Sequence, residues 1–378
     1  LGVSMAELTF PAPISQPISQ FVSQCTHLCP PNASLSTQFI ALVKCNNEQV
    51  SGHAKGLLTN VSQFPENKQA IRENGLFKYL VQAISSPQLQ LGAIAGLANL
   101  VADCPENQSA LLETDFVSVI TPLLESFTDD KKEQALRIIM HLSSNEEHNH
   151  NMVSQILPIL KKDIPAASTK TYTLPVEYSL TTVMNLSKNE KNAQEISKFD
   201  VGFIVDYSSS PVLTLRLYAL QTVKFLMLNE ECCELFVSGS KQGIPQGGIL
   251  PAIIPQMKSQ NENISQLALF SVRNIAKHSS NETIQKNLVA YGTHLIPIVL
   301  PLLESDKEQI QKLSYMVLSD LLEIQSMQDA FVKQNGVGQL LTLCVSESSP
   351  EEVANAASTQ LNYLLDSNEE IMKQFIEQ

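Results

Sequence analysis

Two histidines, His148 and His150, flank Asn149 directly after Glu146-Glu147. They are the nearest the chain comes to metal-ligand spacing. No third and fourth ligand stands where a tetrahedral site needs them, so the segment reads as a solvated loop. Cys25 and Cys29 lack a second pair, and Cys232-Cys233 are adjacent. Gly239-Ser240-Lys241-Gln242-Gly243-Ile244-Pro245-Gln246-Gly247-Gly248 is glycine-rich like a phosphate-cradling loop. It has neither the G-x4-G-K-S/T order nor a preceding strand. No Ser-His-Asp, Cys-His or paired-carboxylate arrangement stands out. The sequence therefore predicts no catalytic residue, no metal, no cofactor and no enzymatic activity.

Composition points to binding through helices. Apolar residues make up 43% of the 378, aromatics 6%, and Trp is absent. Charged residues are 17%, below the usual level of about a quarter. Net charge is −13, and Lys and Arg are scattered, with Lys131-Lys132 and Lys161-Lys162 as isolated pairs. A nucleic-acid backbone reader needs a basic patch, so nucleic acid is not an expected partner. No apolar run reaches membrane-spanning length. The odd count of seven cysteines suits reduced thiols and a cytoplasmic, or also nuclear, location.

The elements come from internal repetition. Pro65-Glu66-Asn67-Lys68-Gln69-Ala70-Ile71 returns as Pro105-Glu106-Asn107-Gln108-Ser109-Ala110-Leu111. Ala70 to Gly75 has an echo in Ala330 to Gly336. One unit parses into three helices: 66–73, stopped by Asn74-Gly75; 76–84, broken by Ser85-Ser86-Pro87; and 88–102. None can bury its apolar face alone, whereas stacked neighbours can.

The third helix carries a fixed pattern: a small residue, a branched apolar residue four on, a polar residue six on and an apolar residue seven on. Ala93, Leu97, Asn99 and Leu100 set it. The small position recurs as Ala54, Ala135, Ser179, Ala219, Ala268, Ser314 and Ala357. The sixth offset then falls on Asn60, Asn99, His141, Asn185, Phe225, Asn274, Asp320 and Tyr363. The small residue lets helices approach, and the two branched residues face the core. The widest spacing, from Phe225 to Asn274, holds the glycine-rich stretch, which reads as an insertion between the first two helices of its repeat, with a flexible loop slightly favoured.

This pattern resembles the armadillo repeat, whose third helix reads A-x3-L-x-N-L, over nearly the whole chain from residue 38. The resemblance implies an all-α, right-handed α-solenoid of about eight armadillo repeats over residues 36–378, ending in a capping or truncated repeat. A Pro/Ser/Gln-rich segment, partly extended, precedes it over residues 1–35. The resemblance also implies that Asn60, Asn99, Asn185 and Asn274 line a concave groove, with His141 and Asp320 as polar replacements. An amide both donates and accepts, so such a ladder can pair with an extended peptide or with the backbone of adjacent repeats. The positions four before the ladder, where importin-α-like proteins place Trp, are Gly56, Ala95, Arg137, Thr181, Gln221, Phe270, Met316 and Thr359. That argues against recognition of nuclear localisation signals.

The sequence thus predicts a non-enzymatic scaffold or adaptor holding a basic or amphipathic segment of another protein. Phe270, Met316 and Tyr363 supply its apolar contacts. The first alternative is an armadillo-type regulator of small GTPases, by binding or nucleotide exchange. The second is a nucleotide-exchange co-chaperone of the 70-kDa heat-shock protein.

Overall fold

The computed structural model describes residues 37–62, 64, 67–146, 149–164, 172–239, 243–345 and 351–367, with Met372 and Ile376. The segment expected over residues 1–35 lies outside them, as does most of the chain after Ser367. The described residues contain helices and no strand. None of these helices is long and apolar enough to cross a membrane.

Eight third helices are present: Glu48–Val61, Gln90–Val101, Asp129–Ser143, Leu174–Ser187, Leu213–Leu226, Glu262–Ala276, Glu308–Leu322 and Glu351–Ser367. In each, the small residue is fully buried, and so in effect are the apolar residues four and seven positions on. The A-x3-L-x-x-L spacing places all three on one stripe of the helix. That stripe is the core.

The expected unit over 66–102 appears as Lys68–Glu73, Phe77–Ile84 and Gln90–Val101. Gly75 takes φ +61°. Its N–H donates to the Arg72 carbonyl and the Leu76 N–H to the Ile71 carbonyl, the bond pair of a Schellman cap. In the distant echo the left-handed residue is Asn335, the other residue type that visits this region readily.

A second device links consecutive repeats. The last carbonyls of a helix lack intrahelical donors. Asn67 Nδ2 donates to Val61 O at 2.9 Å, Asn107 Nδ2 to Leu100 O at 2.9 Å, and Asn149 Nδ2 to Ser143 O at 2.8 Å. Gln328 Nε2 does the same for Leu322 O at 2.8 Å. In each case the start of one repeat closes the end of the preceding third helix. This explains why Asn recurs in Pro65-Glu66-Asn67 and Pro105-Glu106-Asn107.

The chain divides into two compact units. Of the described residues, one holds those from Thr37 to Ile164 with Thr173–Leu186; the other holds Tyr172 and those from Ser187 onward. In the first, the third helix Gln90–Val101 packs on Glu48–Val61 and on Asp129–Ser143. In the second, Glu262–Ala276 packs on Leu213–Leu226 and on Glu308–Leu322.

The insertion does lie between first and second helices, after Glu230–Ser238 and before Leu250–Ile253. Its described stretch 243–249 is packed at some points, while Gly243, Pro245 and Gln246 are exposed. Ile244 and Ile249 are buried. Ile249 N–H donates to Phe236 O at 2.8 Å. Gly243 takes φ +72°, and its carbonyl lies where a Cβ on Gly202 would sit, only 2.0 Å from that point. Glycine at both positions lets the inserted chain lie directly on the helix start at Gly202.

Candidate functional site

The ladder positions share one register but have different surroundings. Asn60 and Asn99 are half-buried. Arg137 Nη2 donates to Asn99 Oδ1 at 3.2 Å. Asn185 is 6% exposed, and its Nδ2 donates to Ser143 Oγ at 3.1 Å and to Met140 O at 3.4 Å. Asn274 is 7% exposed and donates to Lys224 O at 2.9 Å. These last two amides bind the preceding third helix of their own unit. Each thereby satisfies a buried donor that would otherwise be costly.

His141 sits half-buried beside an open cleft of 520 Å³ lined by Asp103, Pro105, Gln108, Ser144, Asn145 and Glu146. Burial first, and the Arg137 charge second, hold the imidazole below its ordinary pKa, while Asp103 acts the other way. A histidine that resists protonation in the fold leaves the unfolded chain as the better proton binder. Stability is therefore expected to fall as pH drops below about 6.5, where the free imidazole takes a proton. Urea midpoints at about pH 7.5 and about pH 5.5 should differ less in His141→Gln than in the parent chain. Equal differences would show that His141 does not contribute.

In the second unit the ladder turns apolar and cationic. Phe225 and Phe270 are half-buried. Lys224 Nζ lies 5.3 Å from the centroid of the first ring and 4.8 Å from that of the second. Met316 is 43% exposed and Tyr363 is 49% exposed. Asp320 accepts from Arg273 Nε at 3.1 Å. Burial raises the pKa of the Asp320 carboxyl, and Arg273 offsets part of that rise.

The cations Lys224 and Arg273 are site residues that ladder reasoning passed over, and Arg137 entered it only as a position without Trp. Lys224 and Arg273 each immediately precede a ladder position, so the neighbouring offset carried the signal. Among the described residues no group of three or more His, Cys, Asp or Glu could hold a metal ion. His148 lies outside the described residues, and Asn149 is buried as a helix-end donor.

No family model and no curated protein matches the chain. Solved structures do. An engineered protein aligns over 96% of this chain and 87% of its own, at 19% identity and a TM-score of 0.69. A designed armadillo repeat protein aligns over 64% of this chain and 98% of its own, at 18% identity and a TM-score of 0.53. Another, in complex with the peptide (KR)4, aligns over 67% of this chain and 98% of its own, at 16% identity and a TM-score of 0.51. Likeness at these identities is likeness of fold, and together with the eight recurring third helices it gives this chain the fold of the armadillo-like repeat structures, an all-α solenoid.

Proposed function

We propose that the chain is a non-enzymatic scaffold that holds a segment of another protein along a face built by the third helices within each unit. One observation carries this reading. The same register position recurs eight times with polar or aromatic side chains, while the residues two before and one after it are buried. Asn60, Asn99 and His141 are half-buried there, and Tyr363 is largely exposed, as is Met316 four residues ahead of Asp320. A regular row of side chains suits a partner that is itself regular, such as an extended or helical segment. The armadillo design bound to (KR)4 supports the same use of the fold.

A basic or amphipathic segment is the proposed occupant. Net charge of −13 speeds encounter with a positive chain. Asp103 and Glu146 line the cleft beside His141 in the first unit. Phe270, Met316 and Tyr363 supply desolvated anchors in the second. Cytosol or nucleus is the proposed setting. Cys45, Cys232 and Cys233 are buried thiols, and burial pushes Cys232 up to about 11, so it stays protonated and unreactive.

The test separates the ladder residues by their surroundings. Asn60→Ala with Asn99→Ala should weaken a bound segment by about 0.5–1.5 kcal/mol per lost hydrogen bond, with little change in melting temperature. Asn185→Ala and Asn274→Ala should instead lower stability, because each breaks a buried contact between repeats. Calorimetric titration with a partner segment and thermal melts read the two effects. Unchanged affinity in the first pair would remove the ladder from the binding face. Nucleotide-release assays with a GTPase panel and with the 70-kDa heat-shock protein separate plain scaffolding from the two regulatory alternatives.

A further inference from the structure

Three consecutive third helices of the second unit assemble a surface with its own chemistry. Lys224 and Phe225 lie near the end of Leu213–Leu226, Phe270 and Arg273 on Glu262–Ala276, and Met316 and Asp320 on Glu308–Leu322. The Lys224 ammonium lies over both phenylalanine rings, at 5.3 and 4.8 Å from their centroids. Asn274 holds the Lys224 carbonyl beneath it. Among the described residues no carboxylate pairs with Lys224, although acidic residues outnumber basic ones by 38 to 25. Asp320, the ladder carboxylate nearest in sequence register, is already taken by Arg273.

The two cations therefore differ in what they can accept. Arg273 has its counter-ion. Lys224 has only ring faces, which attract a cation weakly at an exposed site. A carboxylate arriving there gains a charge-assisted hydrogen bond without displacing an internal partner. A second cation arriving there meets the Lys224 ammonium, which repels it. The rings offer apolar area beside the charge, and Met316 is exposed on the next third helix.

We propose that this face docks an amphipathic segment of another protein that carries an Asp or Glu. Its apolar side chains rest on Phe225, Phe270 and Met316, and its carboxylate meets the Lys224 ammonium. This rests on the segment-holding reading above. It sets the sign of the charge the segment must carry at this place.

Three labelled peptides with the same spaced leucines, bearing Glu, Gln or Lys at their polar positions, test it by fluorescence anisotropy against the intact chain. The Glu peptide should bind about tenfold or more tighter than the Gln peptide, the difference one charged hydrogen bond makes. Lys224→Gln should bring that ratio close to one, and Lys224→Arg should keep it. Phe270→Ala should weaken the Glu and Gln peptides alike. Thermal melts establish that each variant is folded. A Glu-to-Gln ratio unchanged by Lys224→Gln would show that Lys224 only covers the rings, and the proposal falls. If only the Lys peptide binds, the proposal falls and the segment-holding reading stands. If none binds, both fall.

Discussion

Replacing Leu97 by alanine is expected to lower the unfolding free energy of the first unit by about 2–5 kcal/mol, the range for emptying a fully buried leucine site. Leu97 lies on Gln90–Val101, is fully buried, and sits four residues after the fully buried Ala93. This helix is packed between the third helices on either side and also against Phe77–Ile84. The cavity would therefore be shared by three repeats. In a stack stabilised by nearest-neighbour contacts, such a loss spreads to both neighbours. Leu91 on the same helix is the control, because it is 45% exposed. Leu91→Ala should stay within about 0.5 kcal/mol of the parent. Urea denaturation followed by far-ultraviolet circular dichroism reads both variants. Comparable losses at the two positions would mean that the repeating stripe is not the core.

Gly202→Ala is expected to cost roughly 1–3 kcal/mol, the range for forcing an extra carbon into a packed interior. The new methyl would sit 2.0 Å from the Gly243 carbonyl oxygen and 2.4 Å from its carbon. Both are backbone atoms, so relief requires the inserted segment to move away. The bond from Ile249 N–H to Phe236 O should then weaken. Hydrogen exchange at the Ile249 amide should quicken more than at amides in Glu262–Ala276. Retained protection at Ile249 would show that the segment moves without loosening, and the packing cost would be overstated.

The third helices were readable from sequence because their pattern rests on sterics. A small residue, with branched apolar residues four and seven on, defines a buried stripe whatever the neighbours are. Ala54, Ala268 and Ser314 all proved fully buried on that ground. The ends of the first repeat unit were readable too, since Asn74-Gly75 can close a helix in few ways. The ladder was less legible. Asn can serve a ligand or a neighbouring backbone with the same amide, and only the packing around Asn185 and Asn274 assigns theirs to the preceding helix. The close approach at the insertion was not legible for a related reason. Glycine marks both loose chain and close approach, and the closeness here depends on Gly202, distant in sequence. Lys224 went unnoticed because its character comes from Phe270 in the next repeat.

The amides of Asn67 and Asn107 have a bearing on how the chain is made. Each closes a helix that ended before it in sequence, Val61 for the one and Leu100 for the other. Synthesis runs in the same direction. As the polypeptide leaves the ribosome, the third helix of a repeat emerges complete in sequence but open at its last carbonyls. It stays open until the following repeat supplies the donor. Domains fold as they emerge, N-terminal parts first, so these junctions close in the order of translation. A nascent chain that has emerged only to between Leu100 and Asn107 keeps the helix Gln90–Val101 unsealed, and one that has emerged past Leu112 does not. A single helix of the next repeat is then the increment by which the growing chain becomes secure.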